Sequence, residues 1–179
     1  MSKLGKKPIG IPKDASVKID SGKLIMTGPK GSKELSINDK IFSTTISKDN
    51  NLIIDLIKKT TESKIMWGTT RSLINSALVG VTTGHEKILE LAGVGFRANL
   101  KDDMLTMQLG FSHDVQYKVP KNAKVIVEKN TVIKITSIDK ELVGKIAAEI
   151  KLLKPVEPYK GKGIKEKNQY ILRKEGKKK

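Results

Sequence analysis

The chain has 179 residues, enough for one large domain or two small ones, and only 4% of them are aromatic, which excludes a binding face built mainly from stacked rings. Thirty-five Lys and Arg against 19 Asp and Glu give a net charge of +16, a surplus that points to a polyanionic partner. There is no Cys, so disulfide frameworks, thiolate zinc sites, iron–sulfur clusters and Cys nucleophiles are all excluded.

Residues 1–13 read as a basic arm: Lys3, Lys6, Lys7 and Lys13 stand there with no acid. The arm lacks the apolar stretch of a secretory signal, and Pro8 and Pro12 would break a presequence helix. Residues 14–82 form a first domain. Its alternating, β-branched segments 16–19, 23–27, 33–37, 42–46 and 52–57 read as strands, and Asp20-Ser21-Gly22 as a hairpin turn. A helix is predicted over 61–79, capped by Thr60 or Thr61, with Ile65, Met66, Leu73, Ile74, Ala77 and Leu78 mostly on one stripe. Arg71 in its middle suits an RNA contact, a solvent-exposed position or a domain interface.

The domains are expected to meet near Val81-Thr82-Thr83-Gly84, and residues 83–153 repeat the order of elements. Strands are predicted at 87–94, 104–109, 115–119, 125–128 and 131–137, with a hairpin turn at Lys101-Asp102-Asp103. A second helix over 139–153 starts at Asp139 and carries Leu142, Val143, Ile146, Ala147, Ile150 and Leu153 on one face. Leu24 and Met26 match Leu105 and Met107 at a separation of 81, while Asn51 and Asn130, like Glu62 and Glu141, are 79 apart. The fold class is therefore α+β: two similar tandem domains, each a mainly antiparallel sheet packed with one helix, plus basic extensions at both ends. No apolar run approaches the ~20 residues that span a bilayer, and no membrane partner is expected.

Residues 154–179 read as a basic loop and tail. The 29 residues from 151 onward hold 11 basic and 3 acidic side chains, so with the arm the two ends carry +12 of the +16. A near-neutral body with cationic ends suits binding to a phosphate backbone. Pro155 stops the second helix and Pro158 stiffens the exit. Gly161 and Gly163 let the backbone approach a ligand and let successive N–H groups converge on an anion, with Lys160 and Lys162 beside them and Tyr159 free to stack.

Catalytic chemistry is missing. His85 and His113 stand alone, which makes a poor metal site. Gly93-Val94-Gly95 lacks the third glycine of a dinucleotide fingerprint and reads as a bulge or close approach within a strand. Asp102-Asp103 falls in a turn, where acids are favoured for backbone reasons. No enzyme activity, cofactor or metal is expected.

The run Pro155-Val156-Glu157-Pro158-Tyr159-Lys160-Gly161-Lys162-Gly163-Ile164 strongly resembles the signature P-E-P-Y-K-G-K-G of the large-subunit ribosomal protein L6 family. Similar family segments run along the chain: Gly5-Lys6-Lys7-Pro8-Ile9, Met26 to Gly31, Gly68-Thr69-Thr70-Arg71, Gly93 to Ala98, Leu109 to His113, and Arg173 to Lys177. The resemblance implies a duplicated α+β protein that binds large-subunit rRNA near the sarcin–ricin region and the docking site of translational GTPases. It also implies neighbouring ribosomal proteins as partners and a cytoplasmic, ribosomal location, and no homo-oligomer is expected. The rRNA-binding residues it suggests are Lys154, Tyr159, Lys160, Gly161, Lys162, Gly163, Ile164, Lys165, Arg173, Lys174, Lys177, Lys178 and Lys179, with Lys3, Lys6, Lys7 and Arg97. Here Lys151-Leu152-Leu153-Lys154 stands where the family often has an Arg-rich stretch, and lysine makes point-charge rather than bidentate phosphate contacts. The competing readings are a DNA-binding architectural protein, which lacks a helix-turn-helix or zipper signal, and an RNA-modifying enzyme, which lacks a cofactor loop.

Overall fold

A computed structural model describes residues 4–20, 22–47 and 50–176. The chain divides into two compact units, 1–84 and 85–179.

In the first unit the strands are β1 (Ile9–Gly10), β2 (Ser16–Asp20), β3 (Lys23–Gly28), β4 (Gly31–Ser36), β5 (Phe42–Ile46) and β6 (Asn51–Leu56), followed by helix α1 (Thr61–Thr82). They pair antiparallel as two three-stranded sheets, β2-β3-β4 and β1-β6-β5. β1 is short because Pro8 and Pro12 bracket it, and proline has no N–H to give a ladder. Residues 5–10 are therefore built into this unit: Ile9 is buried, and a Cβ at Gly5 would fall 2.5 Å from the Trp67 ring. Arg71 donates from its guanidinium to the carbonyls of Lys7 and Pro8, so it holds the arm down.

Helix α1 starts at Thr60, whose hydroxyl accepts from the Ser63 amide, and buries Trp67, Ile74, Ala77, Leu78 and Val81. The Trp67 indole N–H donates to the Ile54 carbonyl at 2.7 Å. The expected stripe is thus only partly inward: Ile65, Met66 and Leu73 are exposed. At 100° per residue Ile65 lies opposite Trp67 and Ile74, while Met66 and Leu73 fall on the flank of the buried stripe, beside Ala77.

The second unit repeats this plan with β7 (His85–Ala92), β8 (Arg97–Lys101), β9 (Met104–Gln108), β10 (Val115–Lys118), β11 (Lys124–Glu128) and β12 (Val132–Ser137), then helix α2 (Lys140–Leu153), capped by the Asp139 carboxylate. Its sheets run β8-β9-β10 and β11-β12-β7, the same orders as in the first unit. The separation of 81 holds at the centre of both sheets, where Leu24, Met26, Leu52 and Ile54 are matched by Leu105, Met107, Ile133 and Ile135, all buried. Asn50 and Asn130 both sit at positive φ in the turn before the strand that leads into the helix, a conformation asparagine tolerates.

Two expectations change here. The single strand expected at 87–94 ends at Ala92, and 93–96 is a turn, with Gly95 at φ +78°, leading into β8. β8 escapes pattern reading because Ala98 is its only buried side chain. The segment 154–179, read as loop and tail, adds β13 (Gly163–Glu166), which pairs antiparallel with the free edge of β7 and completes a four-stranded sheet, β11-β12-β7-β13. The buried faces of both sheets and α2 enclose one core, including Leu89, Met107, Ile135, Ile146 and Ile164.

Two glycines test the packing in opposite directions. A Cβ at Gly28 would lie 2.5 Å from the Val81 carbonyl oxygen, whereas one at Gly144 in α2 meets nothing within 4 Å. Gly28→Ala should lower stability by about 1–3 kcal/mol, and Gly144→Ala should raise it by about 0.5–1 kcal/mol, both read by urea unfolding of the full chain.

Candidate nucleic-acid interface

The signature segment is a loop closed by its own backbone. Helix α2 stops at Lys154, and Pro155 cannot extend it. The Ile164 amide then donates to the Lys154 carbonyl at 2.9 Å, and the Glu157 amide to the Lys162 carbonyl at 2.8 Å. Gly161 donates its N–H to the Glu157 carbonyl at 3.0 Å. These bonds bear on part of the nest expectation: the Gly161 amide is spent inside the loop. Gly163 is needed for a related reason. At φ +141° a Cβ there would lie 2.7 Å from the Pro155 carbonyl oxygen, so its backbone packs closely against its own chain.

The tail folds back over this loop. Lys174 donates its amide to the Pro158 carbonyl at 3.0 Å, and the Arg173 guanidinium lies 3.3 Å from where a Gly161 Cβ would stand. Tyr159 at the tip is 54% exposed, and Lys160, Lys162, Arg173 and Lys174 are exposed with it. Among the described residues these four cations enter no ion pair.

Other candidate residues have different places. Ile164 is fully buried, so its side chain anchors the loop in the core and offers nothing to a ligand. Lys165 pairs with Glu90 across the β13–β7 ladder at 3.0 Å. Lys154 holds its ammonium 4.3 Å from the centroid of the Phe111 ring. Arg97 is exposed at the start of β8, and Lys6 and Lys7 are exposed on the first unit. Lys3, Lys177, Lys178 and Lys179 lie outside the described residues.

Glu166 is clamped between Lys87 and Lys151, each at 3.0 Å, and hydrogen bonds from Lys151 and then Lys87 hold its carboxyl below the ordinary Glu range. The clamp neutralises one of the few acids near the loop and ties β13 to both β7 and α2. Sequence reasoning passed over it, because Lys87, Lys151 and Glu166 converge only when the strand forms. In the Leu109–His113 segment, the Phe111 and His113 rings stack with centroids 6.0 Å apart, a pairing that the sequence pattern does not show.

Fold and loop together define a duplicated α+β protein that presents unpaired cations on a self-closed loop. The family model described as Ribosomal protein L6 matches residues 92–167. Over its whole length the chain is 44% identical to the large ribosomal subunit protein uL6 of Sphingopyxis alaskensis, with all of both chains covered. It is 46% identical to uL6 of Chloroherpeton thalassium over 99% of this chain and 98% of that one. It is 41% identical, over the same shares, to uL6 of Staphylococcus epidermidis. The chain belongs to the ribosomal protein L6 family.

A carboxylate with a depressed pKa stabilises the fold fully above its unfolded value, near ~4.3, and loses that contribution as pH falls through the folded value. Glu166→Gln should therefore cost about 1 kcal/mol or less at neutral pH, the scale of partly exposed pairs. Denaturant midpoints of the two proteins should converge as the pH is lowered to about 3.

Proposed function

We propose that this chain is a structural, non-catalytic constituent of the large ribosomal subunit that binds large-subunit rRNA beside the sarcin–ricin region, next to the docking site of translational GTPases. The carrying observation is the self-closed 154–163 loop, which holds Tyr159, Lys160 and Lys162 outward while Arg173 and Lys174 lie against it. The names of its relatives support the ribosomal setting. Neighbouring large-subunit proteins are its other partners.

The mechanism is charge neutralisation from a preset surface. Each lysine that meets a phosphate releases counterions and steepens the salt dependence of binding. Because the amides of Glu157, Gly161 and Ile164 are already bonded across the loop, less backbone order is left to impose on binding. A loop so ordered suits recognition by shape, as A-form RNA requires, since its deep groove hides the base edges.

In a competition titration, a large-subunit rRNA fragment carrying the sarcin–ricin hairpin should outcompete unrelated structured RNA and duplex DNA at every salt concentration. Lys160→Ala and Lys162→Ala should each lower the salt slope by about 1. Equal binding to all three competitors that vanishes with salt would leave only a diffuse charge effect, and preference for duplex DNA would favour the architectural alternative. Gly163→Val should weaken binding more than Lys177→Ala, because it forces Val156 and Pro155 apart from β13 instead of removing one screened charge. Equal losses would argue against a loop that acts through its shape.

A further inference from the structure

Beside the cationic loop, the second unit holds an open cleft of about 520 Å³ whose lining includes Val94, Phe96, Leu109, Lys154, Glu157 and Lys162. Its floor is rigid. The Phe96 ring is buried between two glycines: a Cβ at Gly93 would stand 3.0 Å from it and one at Gly110 3.3 Å. Its wall is unusual for a surface turn. Val94 is 91% exposed, carried outward by the 93–96 turn that the Phe96 amide closes on the Gly93 carbonyl. Phe111, next to Gly110, is 45% exposed and stacks with His113, and the cleft-lining Lys154 lies over its ring.

Resting on the rRNA reading above, we infer that this cleft takes a single unstacked nucleotide of the bound RNA. Its volume falls in the range of small-ligand sites, and a partly apolar lining, joined to the exposed Phe111 ring through Gly110 and Lys154, suits the face of a base taken out of its stack. Lys154 and Lys162 line the same cleft and suit the phosphate of that nucleotide, with exposed Arg97 one residue beyond Phe96. Glu157 is the only acceptor-only side chain in the lining, so it orients a base that presents amino or imino donors. The cleft is continuous with the proposed interface, because Lys154, Glu157 and Lys162 belong to both. It adds a contact of a different kind from the lysine tip, one that salt does not screen.

The test is the full chain titrated with the rRNA fragment carrying the sarcin–ricin hairpin, from low to high salt, as wild type, Phe111→Ala, Phe111→Tyr and Val94→Ser. Phe111→Ala should weaken binding about ten-fold, within the range of one base–aromatic stack. That loss should persist at high salt with an unchanged slope, and Val94→Ser should show a smaller loss of the same form. Phe111→Tyr should bind as the wild type, which separates a lost ring from a misfolded loop. Acylation of the RNA 2′-hydroxyls should show one nucleotide whose reactivity changes on binding wild type but not Phe111→Ala. Selective wild-type binding that is indifferent to Phe111→Ala, or a loss that salt removes, overturns the nucleotide cleft and leaves the rRNA reading standing. Absence of selective binding by the wild type overturns both.

Discussion

The pairing of β13 with β7 is the constraint on which the functional end of the molecule depends. Without β13, strand β7 would be one edge of the second unit's larger sheet, with β11 at the other, and an open edge of unpaired amides and carbonyls invites the wrong partner. Four residues, Gly163–Glu166, close it. Ile164 is drawn into the core, Lys165 meets Glu90, and Glu166 meets Lys87 and Lys151. With α2 fixed at one end and β13 at the other, the residues between them have nowhere to go but outward. The loop's exposure is thus a consequence of sheet closure.

The same closure explains the division of labour between glycine and lysine in the signature. Gly163 permits the approach of two backbone segments, and Gly161 leaves room for the Arg173 guanidinium. Neither glycine needs a ligand to justify it. The lysines have the opposite character. Lys160 and Lys162 make no described ion pair, while Lys165, Lys87 and Lys151 are committed to carboxylates. Ion pairing leaves the surplus of +16 intact, and four of the unpaired, exposed cations, Lys160, Lys162, Arg173 and Lys174, come together on the loop and the tail that crosses it.

The duplicated topology shows how one plan serves two ends. In the first unit, prolines on both sides of β1 cut its ladder to Ile9 and Gly10, and the neighbouring carbonyls of Lys7 and Pro8 are held by Arg71. In the second, the equivalent strand β7 runs for eight residues and has edge enough to accept an added strand. The first unit ends at its helix, and the second carries a further strand and loop.

Much of this was legible in the residues. Alternation of β-branched side chains located most strands, Thr60 and Asp139 marked the helix starts, and the spacing of Leu24 and Met26 from Leu105 and Met107 revealed the repeat, because local periodicity reflects which face is buried. The tandem α+β architecture, the absence of thiol chemistry and the cationic ends were determined by the sequence alone. The tertiary structure decided the rest. β8 and β13 have too few apolar residues to announce themselves and exist because a neighbouring edge offers hydrogen bonds. Ile164 and Lys165 are neighbours in one basic run, and the register of β13 on β7 buries the first and leaves the second half-buried beside Glu90; local pattern cannot tell which of two such neighbours faces the core until the partner strand is in place.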